Sequence, residues 1–157
     1  MENVKILEVS NTKFELLLWK LRDAIKDSKI EFKTILCVGR GGSIVGSWLS
    51  HQLGDVSTAF IASRRGTEAT GNVEDRTKVG EVSTIDGLIL PLLIVDDVSD
   101  RGDTLDGILS VVRKVTNMGL TSEIKCAALF MKPWSKRKPD FVAKETEDWI
   151  VFPWEAK

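Results

Sequence analysis

Leu88-Ile89-Leu90-Pro91-Leu92-Leu93-Ile94-Val95-Asp96-Asp97-Val98-Ser99-Asp100-Arg101-Gly102-Asp103-Thr104 is the stretch on which the reading turns. Leu88 to Val95 is a continuous apolar run. It is too short to span a bilayer and has the length of a buried strand. The run ends in an acid pair, Asp96-Asp97, and a polar loop follows. Thr104 to Met118 then reads as a helix that Gly119 stops.

Two adjacent carboxylates repel each other and lose hydration at the end of a buried strand. A divalent cation, ribose hydroxyls or a lysine would compensate them. Ser99 to Thr104 lies at a helix start, where free N–H groups and the helix dipole favour a phosphate. Gly102 lets the backbone come close, and Ser99 and Thr104 add hydroxyls. The segment thus joins acids suited to a sugar diol or Mg2+ to a cradle for a monophosphate, which suits a ribose 5-phosphate. An acid pair alone is weak, and an N-cap with a polar loop is its ordinary reading. Apolar strand, Asp-Asp, two residues, then Asp-x-Gly-x-Thr into a helix is far more specific.

Outward from this stretch, apolar runs alternate with helical patterns. Thr12-Lys13-Phe14-Glu15 fits a capping box, and Phe14, Leu17, Leu18, Leu21 and Ile25 recur at helical spacing to about Lys26. Thr34 to Val38 reads as a buried strand entering a tight loop, Gly39-Arg40-Gly41-Gly42. Ser43 opens the next helix, which runs to about Leu53 before Gly54. Val56 to Ala62 is a strand, Ser63 to Asp75 a polar loop, and Lys78 to Ser83 a further strand that turns at Asp86-Gly87. Glu123 to Phe130 is another buried strand, and short strands and loops close the chain. Continuous apolar strands between helices predict an α/β fold: one domain over 1–157, a parallel sheet with helices on both faces, and a small C-terminal flap over one sheet edge.

Composition narrows the function. The 157 residues are 43% apolar and 29% charged, with a net charge of −1. No basic field points to nucleic acid, so an anionic ligand needs local donors. The two cysteines, Cys37 and Cys126, sit in apolar runs and read as reduced packing residues of a cytoplasmic protein. The N-terminal stretch has no signal-peptide pattern, no transmembrane segment is expected, and no His/Cys cluster suggests zinc. Gly41 to Gly46 imitates part of a Walker A spacing, but Ser47-Trp48 stand where Lys-Ser/Thr is needed. His51 reads as a surface or structural histidine, and Lys136-Arg137-Lys138 as a solvated loop.

In open parallel sheets ligands collect at the C-terminal strand ends. Val38 leads into Gly39-Arg40-Gly41-Gly42, Val95 into the acid pair, and Phe130 into Met131-Lys132-Pro133. All three ends should face one crevice. Lys132 would ordinarily be solvated, but Asp100 at a neighbouring strand end favours a role in the site. Trp149 and Trp154 could equally be core aromatics.

The strand, acid pair and phosphate loop resemble the fingerprint of type I phosphoribosyltransferases. Gly39-Arg40-Gly41-Gly42 resembles the pyrophosphate loop of the bacterial xanthine-guanine branch. Phe130-Met131-Lys132-Pro133 resembles its purine-binding lysine segment, and Asp148-Trp149-Ile150 with Pro153-Trp154-Glu155 its C-terminal base pocket. The resemblance runs in one register from about Thr34 to Glu155. It implies the type I fold, and a reaction of 5-phosphoribosyl-1-pyrophosphate (PRPP) with a 6-oxopurine.

The resemblance also implies roles. Asp96 and Asp97 would hold the ribose hydroxyls, with Asp97 on the Mg2+ side. Val98 and Ser99 lead into the cradle, and Arg101, Gly102, Asp103 and Thr104 would wrap the 5-phosphate. Arg40 and Gly41 would hold pyrophosphate, joined by Arg76 from a lid. Asp100 would manage the N7 proton, Lys132 would donate to O6, Trp149 would stack on the base, and the Ile150 backbone would meet the 2-position. A homodimer or homotetramer is expected. Two positions depart from the pattern: Arg64 stands where a lid tyrosine is usual, and Asp103 where glycine is common in the phosphate loop. Two other readings stay open: a PRPP-binding regulatory protein, and a transferase for another base. Lys132 argues against adenine, whose 6-amino group is itself a donor.

Overall fold

The computed structural model describes residues 4–64, 77–117 and 123–155. In chain order the elements are β1 (Ile6–Glu8), α1 (Asn11–Asp27), β2 (Thr34–Val38), α2 (Gly39–Gln52), β3 (Ser57–Arg64), β4 (Lys78–Ser83), β5 (Leu92–Ser99), α3 (Asp103–Thr116), β6 (Ile124–Met131), β7 (Phe141–Glu145) and β8 (Trp149–Val151). Six strands form one sheet in the order β4-β3-β2-β5-β6-β7. Within it β3 and β4 are antiparallel, while the other neighbours pair parallel.

The two sheet faces are read from the alternation of side chains along the strands. Ile35 and Cys37 of β2, with Leu93 and Val95 of β5, turn to one face and pack under α1 and α2. Leu36 and Val38, with Leu92 and Ile94, turn to the other and pack under Leu105, Ile108 and Val112 of α3. Helices on both faces follow, as expected. The chain winds from β2 to β3 in one direction and from β5 to β6 in the other. The neighbouring C-terminal ends of β2 and β5 therefore form the switch point, where such sheets open a crevice.

Several boundaries differ from the sequence expectation. The first helix is capped by Ser10, whose hydroxyl accepts the Lys13 N–H at 3.1 Å, and not by a Thr12–Glu15 box. The glycine run is not a loop before a helix: α2 begins at Gly39, and Ser43 lies inside it, donating to the Gly39 carbonyl at 2.5 Å. Packing overrides the poor helix propensity of glycine here, because a Cβ on Gly42 would stand 2.6 Å from the Val95 carbonyl oxygen. The strand expected over 88–95 is β5, shifted to Leu92–Ser99, so the acid pair lies within the ladder. The strand expected to end at Ala62 continues to Arg64; the rest of the expected polar loop lies outside the described residues.

The flap is also not purely C-terminal. Strands β1 and β8 pair parallel, Ile6 with Trp149 and Glu8 with Val151, so both chain ends build a two-stranded hood. Trp154 is a packing residue. It stacks on Phe152 at 4.3 Å and 10°, and meets Phe14 of α1 edge-on at 5.1 Å. Val9, Ile150 and Phe152 join the core beneath α1, so the hood shares the interior of the sheet.

Candidate active site at the switch point

The acid pair is set by β5. Asp96 is 8% exposed, and its Oδ1 accepts the Asp97 N–H at 2.9 Å. The Asp97 carboxylate in turn accepts the Val98 N–H at 2.8 Å. Burial pushes the Asp97 carboxyl above the ordinary carboxylate range, and the Glu155 charge adds to this, while bonds from Asp96, Val98 and its own backbone oppose it. Asp97 also lies against the start of α2. A Cβ on Gly41 would lie 1.9 Å from Asp97 Oδ2, so this carboxylate is seated on bare backbone in the first turn of α2.

The phosphate loop leaves β5 at Ser99 and enters α3 through Gly102, whose φ is +91°. That backbone state strains any residue with a Cβ. The added atom would also lie 2.6 Å from the Arg137 nitrogen. Neither α2 nor α3 has a side-chain cap, so first-turn N–H groups at both starts are left to other acceptors. Asp103 is exposed on the first turn of α3, where the helix dipole tolerates a carboxylate. Ser99 borders the cradle, and its hydroxyl has partners of its own. It is bonded to Ser135 Oγ at 3.0 Å and to the Arg137 carbonyl at 3.2 Å, tying a second loop to the first.

That second loop brings in the end of β6. Lys132 is 8% exposed, its N–H donates to the Ser99 carbonyl at 2.9 Å, and its Nζ donates to the Asp148 carbonyl. Burial lowers its pKa, while the nearby charges of Asp100 and Asp148 pull it back up. Two residues on, the Trp134 Nε1–H donates to Asp100 Oδ1 at 2.9 Å, and Lys132 Nζ lies 5.7 Å from the centre of the Trp134 ring.

One crevice of about 520 Å³ gathers most of these groups. Asp96, Asp97, Val98, Asp100, Thr104, Lys132, Trp149 and Ile150 line it, together with Trp134, Arg64 and Glu155. Trp149 is 65% exposed on its wall, while Ile150 is buried behind. Arg101, Gly102 and Asp103 surround a smaller recess beside it with Ser99 and Thr104. Arg40 is exposed and lines an adjoining groove with Gly39, Ser43 and the end of β3; Arg64 borders both spaces. Arg76 lies outside the described residues.

Other residues sit as their chemistry suggests. His51 is on the surface, 3.2 Å from Asp55. Cys37 and Cys126 are buried and free. No helix among the described residues is long and apolar enough to cross a membrane. Trp134 is a lining residue that the sequence pattern does not assign, while Glu155 belongs to the segment that resembles the base pocket. An aromatic two residues past a strand-end lysine was the available signal for Trp134, but its partner is set by the folded loop.

Comparison with known proteins places this arrangement. The family model described as phosphoribosyl transferase domain matches residues 8–157. A xanthine-guanine phosphoribosyltransferase of Ruegeria sp. (strain TM1040) is 26% identical over 146 residues, covering 88% of this chain and 77% of the relative. A purine phosphoribosyltransferase from Pyrococcus horikoshii Ot3 superposes with a TM-score of 0.80 at 30% identity, over 97% of this chain and 95% of its own. A xanthine-guanine-hypoxanthine phosphoribosyltransferase from Helicobacter pylori shares the fold at a TM-score of 0.81 and 24% identity, over 96% of this chain and 94% of its own. With the family model matching residues 8–157 and the whole α/β frame superposing on a purine phosphoribosyltransferase, this chain belongs to the phosphoribosyltransferases.

Proposed function

We propose that the chain transfers the 5-phosphoribosyl group of PRPP to a 6-oxopurine (guanine, xanthine or hypoxanthine), releasing pyrophosphate and a nucleoside 5′-monophosphate. The observation that carries this reading is the shared crevice. The acids, the α3 start, Asp100, Lys132 and Trp149 line one space sized for a base and a sugar. Relatives that act on purines, xanthine-guanine and purine phosphoribosyltransferases among them, support it.

In this reading Arg101 to Thr104 hold the 5-phosphate, and Asp96 and Asp97 hold the ribose hydroxyls. Arg40 and the Gly41 backbone take pyrophosphate, and Arg76 is assigned to the same anion. The bond from C1′ to pyrophosphate breaks as the purine N9 lone pair attacks, and the N7 proton passes to Asp100. Carboxylates near the sugar suit its transient positive charge. Lys132 donates to O6, Trp149 covers the ring, and the Ile150 backbone meets the 2-position.

The donor set fits Mg2+. Asp97 offers hard oxygens, and its buried, repelled carboxylate would be relieved by a cation. Among the described residues no group of three or more His, Cys, Asp or Glu could hold a metal by itself. Asp97 would hold such an ion, which would supply positive charge to the departing pyrophosphate. A cytoplasmic homodimer or homotetramer belongs to the same proposal, with sedimentation as its check.

The test is a panel of guanine, xanthine, hypoxanthine, adenine, orotate and uracil with PRPP and Mg2+. Turnover confined to the 6-oxopurines is expected. Tight PRPP binding without turnover on any base would replace the enzyme by a PRPP-binding regulatory protein.

A further inference from the structure

Asp100 lies half-buried on the loop between β5 and α3. A proton acceptor in that position is effective when its direction is fixed. The segment from Lys132 to Arg137 supplies the means. Its Lys132 N–H donates to the Ser99 carbonyl at 2.9 Å, and its Lys136 N–H to the Arg101 carbonyl at 3.0 Å. The two chain neighbours of Asp100 are thereby held from one side. The Arg137 guanidinium anchors the far end to Asp106 at 2.6 Å. Between these clamps stands Trp134, 53% exposed, so burial is not what keeps the indole there. Its N–H meets Asp100 Oδ1 at 2.9 Å, and its ring lies beside the Lys132 ammonium at 5.7 Å.

We infer that Trp134 is a positioning residue for transfer. Its rigid N–H orients the Asp100 carboxylate, and its ring face steadies Lys132, so that proton acceptor and O6 donor are set by one side chain. This rests on the proposed role of Asp100 at the purine proton. An N–H donated to a carboxylate is charge-assisted and directional, and an ammonium beside an indole gains from the ring quadrupole. The loop thus couples the phosphate site to the base site through a single indole.

The experiment separates donor from ring. Trp134→Phe keeps an aromatic face and removes the N–H. Trp134→His keeps an N–H at similar reach and removes most of the face. Steady-state kinetics at pH 8, where a histidine of ordinary pKa is neutral, are measured for both variants with Asp100→Ala alongside. Trp134→Phe is expected to lower kcat about tenfold with KM for PRPP unchanged, and Trp134→His to stay within about threefold of the parent. Trp134→Phe added to Asp100→Ala is expected to cause no further loss. Equal losses in the Phe and His variants, or a Phe variant with the parent kcat, would overturn the inference while Asp100→Ala keeps only a reduced kcat. Asp100→Ala with the parent kcat would instead overturn the role of Asp100 itself. A rise in KM for PRPP matching the fall in kcat would show a merely structural tryptophan and also reject the inference.

Discussion

The described residues hold three helices, and they start in two different ways. Helix α1 is closed by its own side chain, Ser10 accepting the Lys13 N–H. It belongs to the packing of the hood, where Phe14 meets Trp154. Helices α2 and α3 begin at the switch point with no side-chain cap, and glycine shapes both starts. A cap normally adds about 1 kcal/mol to stability. Forgoing it at the two crevice starts keeps N–H groups available to an anion. The two starts differ in turn. Strand β2 runs straight into α2, so Gly41 and Gly42 press against β5; β5 reaches α3 through Asp100-Arg101-Gly102, leaving an open cradle.

The largest break in this comparison should come from Gly102→Ala. Its φ of +91° and the 2.6 Å approach to the Arg137 nitrogen leave no room for a methyl. Displacing the loop should weaken PRPP binding at least about a hundredfold by calorimetry; unchanged affinity would show that the bare start is not the cradle. Gly41→Ala and Gly42→Ala then divide the α2 start. The Gly42 methyl meets backbone, so Gly42→Ala should cost about 1–3 kcal/mol in denaturant unfolding. The Gly41 methyl meets the Asp97 side chain and not backbone, so Gly41→Ala should lose turnover with a smaller loss of stability. Equal losses of stability would erase the distinction.

Ser10→Ala should cost about 1 kcal/mol and leave PRPP affinity unaltered; a fall in affinity would show that the capped start also serves the site. An effect confined to high pH lies beneath α2, where a Cβ on Gly46 would stand 2.4 Å from the Cys37 sulfur. Burial pushes the Cys37 thiol up to about 12 from an ordinary 9.0. A folded pKa above the unfolded one gives stability that is present below 9.0 and lost as pH rises toward 12. Over that range the parent should lose more unfolding free energy than Cys37→Ala, and parallel losses would contradict the burial argument.

Much of this was legible in the chain. Apolar runs of strand length give the α/β order, and Asp96-Asp97 with Gly102 and Thr104 at their spacing point to the strand-end loop before α3 as the place to look for a ligand. The glycine run at Gly39 was misread as a loop, since propensity speaks against glycine in a helix while the demand for it comes from β5. The hood was assigned to one end, since pairing Ile6 with Trp149 links residues far apart in sequence. The Ser99 hydroxyl also ties in a later loop through Ser135 and Arg137, a link between distant segments that no local pattern encodes.

By itself, the sequence determined which chemistry was available: acids, a glycine turn, a strand-end lysine and exposed aromatics at spacings that local structure obeys. Tertiary structure decided which of them meet. Asp97 rests on Gly41 because α2 closes onto β5, and Trp134 reaches Asp100 because a later loop folds back over an earlier one. Periodicity and turn chemistry act over a few residues; these contacts depend on how distant segments pack, which no local pattern encodes.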